Sequence, residues 1–274
     1  MKEDKYHQSV LVNEVLRYMP NGKVIDCTLG TGGHTLALVE SGRQVLSIEM
    51  DPKMLKIAQE RVQDKAVLVQ GNFSDLDKIA KENGFSQANG VLFDLGVSNL
   101  HLKDDDRGFS FTQRDQDLDM RLNPIVQGVK ALDLLNVLNK GQLVEMFLRV
   151  MKYPQAKRMA LKVLERRPFK TVGDLKDASF GIAKKESLDS ATLPMLALRI
   201  AVNSEYENIV EALPKAYDLL EKGGKLLVIT FHSGEENIVE RVMKGPGFVV
   251  QPTNDEVFDN PRSRSAKLHI YEKK

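Results

Sequence analysis

The run Asp26-Cys27-Thr28-Leu29-Gly30-Thr31-Gly32-Gly33-His34-Thr35 restricts this chain more than any other stretch. It follows Lys23-Val24-Ile25, which reads as a buried strand, and precedes Leu36-Ala37-Leu38-Val39, which reads as the start of a helix. A strand that passes into a helix through Gly30, Gly32 and Gly33 lets a ligand approach the backbone. It also aims the free N–H groups of a helix N-terminus at that ligand. A nucleotide-like molecule is expected at this turn.

The surrounding pattern says what carries the turn. Gln44 to Met50, Ala66 to Val69 and Gly90 to Leu95 read as further strands. Between them Leu55, Ala58 and Val62, then Leu76 and Ile79, fall at helical spacing. Such alternation implies a parallel, doubly wound sheet. It stops at residues 96–125, where Gly96, Asp104-Asp105-Asp106, Gly108, Asn123 and Pro124 mark a long loop of the kind that is functional or disordered. Residues 128–190 then read as helical throughout. The sheet resumes after Pro214, expected to open a helical piece that Gly223-Gly224 ends. Lys225 to Phe231 reads as a fifth strand, and 248–250 with 267–271 as a final pair separated by a polar loop. This ending matches the sheet of methyltransferases that use S-adenosylmethionine (SAM), whose last strand is antiparallel. The expected fold is α/β: a Rossmann-like, class I methyltransferase domain over 1–112 and 200–274, with an inserted helical domain over 113–199 for substrate recognition.

Composition narrows the class further. The 274 residues suffice for such an arrangement, and the formal net charge of +1 means that any nucleic-acid surface must be local. Cys27 is the only cysteine, so no internal disulfide forms, and its apolar strand-end setting marks it as inert packing. Val10-Leu11-Val12 is too short for a signal segment, and no run approaches the roughly 20 apolar residues of a membrane span. A cytoplasmic protein is expected.

Ligands of doubly wound sheets bind beyond the carboxyl ends of the strands. There the chain carries Asp26 with the glycine turn, Glu49, Asn72-Phe73 and Asp94. An ionised carboxylate at the end of strand two, Glu49, accepts from both hydroxyls of a ribose. Phe73 beside it suits a purine face. A dinucleotide turn would place Gly or Ala where Thr35 stands, and a pyrophosphate is repelled by Asp26. SAM carries an ammonium and a sulfonium, so the acid favours it. A tight turn with no ligand leaves the acids unexplained. Asp51, followed by Pro52, reads as a helix cap. Asp94-Leu95-Gly96-Val97-Ser98-Asn99 lies where methyltransferases of exocyclic amines hold the target N–H groups; a satisfied strand-end carboxylate is the plainer alternative. His34, His101 and His232 lie on separate loops and no Cys-x-x-Cys occurs, so no metal is expected. His232 either touches substrate or caps the helix that follows, and Ser233 with Glu236 has capping-box spacing. Arg149, Lys152, Lys157, Arg158, Lys162, Arg166, Arg167 and Lys170 face one acid, Glu165, and Asn260 to Lys267 is also basic; both suit phosphates.

In chain order, Asp26-x-Thr-x-Gly-x-Gly-Gly-His34, Asp94-Leu-Gly-Val-Ser98, Arg107-Gly-Phe-Ser-Phe111, Leu118-Asp-Met-Arg121, Ala197-Leu-Arg-Ile-Ala-Val-Asn203, Phe231-His-Ser233 and Asn260-Pro-Arg-x-Arg-Ser-Ala-Lys267 together resemble the bacterial RsmH (MraW) family, from His7 onwards. The resemblance implies SAM-dependent methylation of N4 of a cytidine in small-subunit (16S) ribosomal RNA, within an assembled small subunit; a homodimer stays open. It places SAM contacts at Gly32, Gly33, His34, Glu49, Phe73 and Asp94, and at His101, where the family has glutamine. The expected cofactor set is completed by Asp26 and Gly30. Asp94, Ser98, His232 and Ser233 are the expected catalytic residues, and Asn99, Arg107, Phe109, Arg199 and Asn203 the substrate contacts. The competing readings are an idle RNA-binding or assembly factor, a nicotinamide-dependent oxidoreductase and a small-molecule methyltransferase.

Overall fold

The computed structural model describes residues 9–103, 106–182 and 189–274. His7, Asp104, Asp105 and the Asn99 side chain lie outside the described parts. The chain forms two compact units, Met1–Ser98 with Tyr206–Lys274, and Asn99–Glu205.

The first unit carries α1 (Val12–Tyr18), β1 (Lys23–Asp26), α2 (Gly33–Glu40), β2 (Gln44–Glu49), α3 (Pro52–Val62), β3 (Val67–Gln70), α4 (Leu76–Glu82) and β4 (Ala88–Asp94). After the second unit's α5 (Asn99–Lys103), α6 (Ala131–Val137), α7 (Lys140–Leu148), α8 (Tyr153–Arg166), α9 (Val172–Ser179) and α10 (Thr192–Asn203), the first resumes with α11 (Glu205–Leu219), β5 (Leu220–Thr230), α12 (Ser233–Val242), β6 (Phe248–Val250), α13 (Asn254–Asp259) and β7 (Lys267–Glu272).

The strands make one seven-stranded sheet in the order β3-β2-β1-β4-β5-β7-β6. β1 to β5 are parallel, and β7 runs antiparallel to both β5 and β6. This is the class I methyltransferase arrangement that the alternation of elements implies.

Alternate side chains explain why both faces are covered. Ile25, Leu46, Ile48, Val91, Phe93, Leu226 and Val228 point to one face, where Leu76 and Ile79 of α4, Ile209 and Leu213 of α11 and Ile238 of α12 bury them. Val24, Val45, Leu92, Leu227, Ile229 and Leu268 point to the other and meet Val15 of α1 and Leu38 of α2. Parallel strands buried on both faces read as continuous apolar runs for this reason. Cys27 is packed within the first of these clusters.

Three local expectations change. Pro214 lies inside α11 instead of opening a helix. Its missing N–H would have served the carbonyl of Val210, a residue on the exposed side of the helix. Gly223-Gly224 lies within β5, not after a helix. A Cβ on Gly224 would meet Asn89 O of β4 at 3.0 Å and Glu221 O at 2.8 Å, so glycine there serves a close backbone approach. The polar stretch before the last strand folds as α13 and a 3-10 turn over Pro261–Ser265.

The second unit is helical, with Leu135, Leu143, Phe147, Met159, Val163 and Phe169 in its interior. Its helices start where side chains take orphan N–H groups: Asn139 with Gln142 caps α7, and Thr171 with Asp174 caps α9. Among the described residues, no helix is long and apolar enough to cross a membrane.

Candidate active site

The glycine turn joins β1 to α2. Gly30 has φ +53° and Gly32 φ +87°, both in the left-handed region that disfavours side chains. Gly32 and Gly33 also serve packing. A Cβ on Gly32 would meet Val62 of α3 at 2.8 Å, and one on Gly33 would meet Ser9 Oγ at 2.0 Å. Around Gly30 the space is open, with Thr28 O the nearest atom at 3.9 Å. Of the three, Gly30 is the one whose surroundings leave room for a ligand.

Asp26 is completely buried and braces the turn from inside. Its Oδ2 accepts from Thr35 Oγ1 at 2.7 Å and its Oδ1 from Thr28 N at 3.1 Å. Thr35 Oγ1 lies 2.7 Å from Ser47 Oγ, and Thr28 Oγ1 accepts from Asp94 N at 2.6 Å. One hydroxyl thus ties the start of α2 to β1 and β2, and another ties β1 to the end of β4. A glycine or alanine in place of Thr35 would leave Asp26 short of a partner, which gives the departure from a dinucleotide turn a physical cause. Burial raises the Asp26 pKa, against the lowering effect of His34 and the Thr35 and Thr28 bonds.

Glu49 closes β2 beside the turn. Its Oε2 accepts from Gly30 N at 2.7 Å and its Oε1 from Asp51 N at 2.8 Å. Burial pushes its pKa up to about 7; the two N–H bonds oppose this, and the charges of Asp51 and Asp26 add to it. Each oxygen keeps a lone pair for a further donor. Asp51 caps α3 by accepting from Lys53 N at 2.8 Å. Phe73, half-buried in the 3-10 turn after β3, packs edge-on against Phe93 with ring centres 5.5 Å apart. That turn is held by Asn72 Oδ1, which accepts from Ser74 N at 3.0 Å, and by Lys215 of α11, whose Nζ donates to Ser74 O at 2.5 Å.

Asp94 and His34 complete this end of the sheet. His34 Nε2 lies 3.4 Å from Asp94 Oδ2, an ion-pair approach without hydrogen-bond geometry. Both His34 ring nitrogens and Asp94 Oδ1 are buried without a hydrogen-bond partner. Burial opposes charge on His34, yet the contact with Asp94 and the fields of Asp94, Asp26 and Glu256 outweigh it and raise its pKa above the ordinary 6.5. Glu256, on α13, is fixed nearby by accepting from Leu11 N at 2.6 Å. Buried polar atoms left unmatched are costly. Here they lie next to a turn rich in acids, which favours a ligand that carries positive charge and hydroxyl donors. A pyrophosphate would be repelled by Asp26, Glu49 and Asp94. The donor and acceptor set fits SAM: Glu49 for the ribose, Phe73 for the ring, Asp94 and His34 for the amino-acid end.

His232 turns out to be a helix cap. Its Nδ1 accepts from Glu235 N at 3.3 Å, and Glu235 Oε2 accepts from Phe231 N at 2.7 Å and His232 N at 3.3 Å. The capping box is therefore His232 with Glu235, one residue earlier than the expected Ser233 with Glu236. The buried Glu235 also faces His232 Nε2, at 3.1 Å, while Glu236 pairs with Lys267 at 2.5 Å. An accepting Nδ1 leaves the proton on Nε2. Ser233 is exposed at the first position of α12, and Ser98 is half-buried in the turn after β4.

In the helical unit the expected substrate residues are engaged with one another's loops. Asn203 uses its whole amide: Nδ2 donates to Met120 O at 2.8 Å and Arg199 O at 2.9 Å, while Oδ1 accepts from Leu122 N and from Gln127 Nε2, both at 3.0 Å. Arg107 Nη1 donates to Arg121 O at 3.0 Å and Leu122 O at 2.7 Å. Arg199 pairs in a fork with Glu205 at 2.8 and 3.0 Å. These bonds hold Met120 at φ +61°, a conformation a side chain rarely adopts. Phe109 is buried against His101, ring centres 5.1 Å apart, with the Arg107 guanidinium 5.5 Å from its ring. Asn99 opens α5. Arg107 and Asn203 thus shape the 118–127 segment, and Arg199 holds Asn203 through its carbonyl.

The roles of Ser47, Lys215 and Glu256 left no signal in the sequence, whereas Thr35 breaks the dinucleotide pattern and Thr28 is the fixed threonine of the motif that begins at Asp26. Among the described residues, no three His, Cys, Asp or Glu side chains gather as a metal site would require.

Comparison with known proteins adds an independent line. The model of a family described as the MraW methylase family matches residues 4–247. Ribosomal RNA small subunit methyltransferase H of Dehalococcoides mccartyi is 35% identical, covering 97% of this chain and 86% of its own. The protein of the same name from Thermosipho melanesiensis is 35% identical over 99% of each chain. A solved rRNA methylase from Streptococcus thermophilus aligns with 96% of this chain and 92% of its own at 14% identity and a TM-score of 0.45, too loosely to carry any residue assignment.

Proposed function

The chain belongs to the MraW methylase family, and we propose that it methylates N4 of a cytidine in small-subunit ribosomal RNA with SAM as methyl donor. The observation that carries the reading is the set of buried, unmatched polar atoms on His34 and Asp94 beside an acid-rich glycine turn.

The chain's own residues do the following. Glu49 accepts from the two ribose hydroxyls with the lone pairs that Gly30 N–H and Asp51 N–H leave over. Phe73 would take the face of the purine. Gly30 gives backbone access. Asp26 acts one step back, by keeping the turn rigid through Thr28 and Thr35. Asp94 has two tasks open to it: to hold the cofactor's ammonium, or to accept from the target amine, with Ser98 on the adjoining turn. Bound there, SAM would supply a methyl group on a sulfonium: the exocyclic amine would form the N–CH3 bond as the S–CH3 bond breaks, leaving the thioether S-adenosylhomocysteine and releasing one amine proton. An acceptor on the amine's N–H aims its lone pair and localises it, so positioning and exclusion of water supply the rate. His232 serves by capping α12 behind Ser233. The helical unit is assigned to RNA recognition, its 118–127 segment held by Arg107 and Asn203. A cytidine stacked in RNA must be extruded first. The assembled small subunit, in the cytoplasm, is the form of substrate we favour.

The test is label transfer from SAM to small subunits that lack the modification, beside Asp94→Asn. Transfer by the wild type and a loss of at least about a hundredfold in the variant are expected, the range in which removal of a transition-state hydrogen-bonding group falls. Absence of SAM binding in calorimetry would overturn the reading.

A further inference from the structure

Phe180 is 79% exposed at the end of α9, on the unit that the proposed function assigns to RNA. Large aromatic side chains gain from burial, so one displayed this fully calls for a cause. Its backbone is not loose. Lys162 donates to the Phe180 carbonyl and Arg158 to that of Gly181. Arg158 Nη2 also reaches Ile182 O at 3.3 Å, as does Gln155 Nε2. All three donors come from α8. The carbonyls that follow α9 are thus matched by side chains, two of them cationic, as helix C-termini favour.

The same helix supplies the charge. α8 buries Ala156, Met159, Ala160 and Val163. Its other faces show Lys157, Arg158, Lys162 and Arg166, with Lys152 at its N-cap and Glu165 as the only acid. Arg158, Lys162 and Arg166 stand four residues apart, so they form one row. Burial lowers the Lys162 pKa, and the neighbouring charges of Arg158 and Arg166 lower it further, as expected in a dense cationic row. Tyr153, 58% exposed, opens the helix.

We propose that Phe180 is a stacking platform for an unpaired base of the RNA substrate, with the α8 row taking the adjoining phosphates. Exposed aromatics beside cations are what single-stranded RNA uses: each base has a face to stack, and each linkage a charge to neutralise. Cations that bond the carbonyls of Phe180 and Gly181 order the backbone that carries the ring before RNA arrives, which lowers the ordering cost of binding. A protein partner at this face would have to be acidic, whereas the RNA substrate is a polyanion by nature. The proposal rests on RNA being the substrate, and its test separates the two.

The chain has no tryptophan, so Phe180→Trp introduces a single reporter. With an unmodified transcript of small-subunit ribosomal RNA, its fluorescence should be quenched with the same midpoint as the binding curve from filter retention. In methylation of small subunits, Phe180→Ala should raise KM about tenfold with kcat and SAM affinity unchanged, a loss in the range of one stacked base. Phe180→Trp should keep the wild-type KM, and Phe180→Leu should behave like alanine. Transcript binding without quenching would overturn the proposal, as would an unchanged KM in Phe180→Ala. Full rescue by leucine would assign the face to an apolar protein contact instead. If the wild type transfers no methyl group, the proposed function fails, and the quenching experiment still decides the platform.

Discussion

Glu49 makes the cofactor site sensitive to pH in a direction the structure fixes. Burial lifts its pKa to about 7, because Gly30 N–H and Asp51 N–H offset only part of the lost hydration. Only the ionised carboxyl accepts from two ribose hydroxyls, so SAM binding is coupled to proton release. With a pKa of about 7, roughly a tenth of the protein is ionised at pH 6 and roughly nine-tenths at pH 8. The Kd for SAM should therefore be about tenfold higher at pH 6 than at pH 8, about 1.4 kcal/mol. Calorimetry at pH 6.5 in two buffers of different ionisation enthalpy should show release of most of one proton. Glu49→Gln should bind more weakly at pH 8, since its NH2 group faces one of the two N–H donors, and should lose most of the pH dependence. A wild-type Kd that is flat from pH 6 to 8, or a Glu49→Gln variant with the full dependence, would refute the argument.

Without cofactor the same raised pKa predicts that the Glu49 contribution to Tm falls as pH rises from 4.5 towards 7, because the unfolded chain loses its proton first; Glu49→Gln should flatten this arm of the profile. Thr35→Val removes the hydroxyl that satisfies Asp26 and should cost about 1–3 kcal/mol in urea denaturation, the cost growing as pH rises because the ionised carboxylate needs the donor more. His232→Ala should lose about 1 kcal/mol of stability while His232→Asn retains most of it, since asparagine also caps helices; a large loss of kcat in His232→Asn would instead return this residue to the substrate.

The architecture was legible because it rests on periodicity. Val24-Ile25, Val45-Leu46 and Val91-Leu92-Phe93 are apolar on both faces, which only a sheet covered on both sides requires. Strand-end acids were legible for a similar reason: a charge after an apolar run has few places to go. What could not be read was how polar groups share partners over long separations. Asp26 looked like a ligand group from its position, and its commitment to Thr35 and Thr28 appears only when α2 folds back on β1. Asn203 and Arg107 looked like substrate contacts, and they spend their hydrogen bonds on a segment about 80 residues away in sequence for the first and about 14 for the second. Pro214 and Gly224 misled because local propensity was overruled: Pro214 stands inside α11, on whose exposed side Val210 lies, and Gly224 meets the approach of β4 at Asn89.

The central claim is the identity of the methylated atom. Small ribosomal subunits that lack the modification would be incubated with the protein and SAM, and their RNA digested to nucleosides and analysed by mass spectrometry. The new product should be N4-methylcytidine. Methyl groups found on carbon 5 of cytidine, on adenosine, or on no nucleoside at all would contradict it.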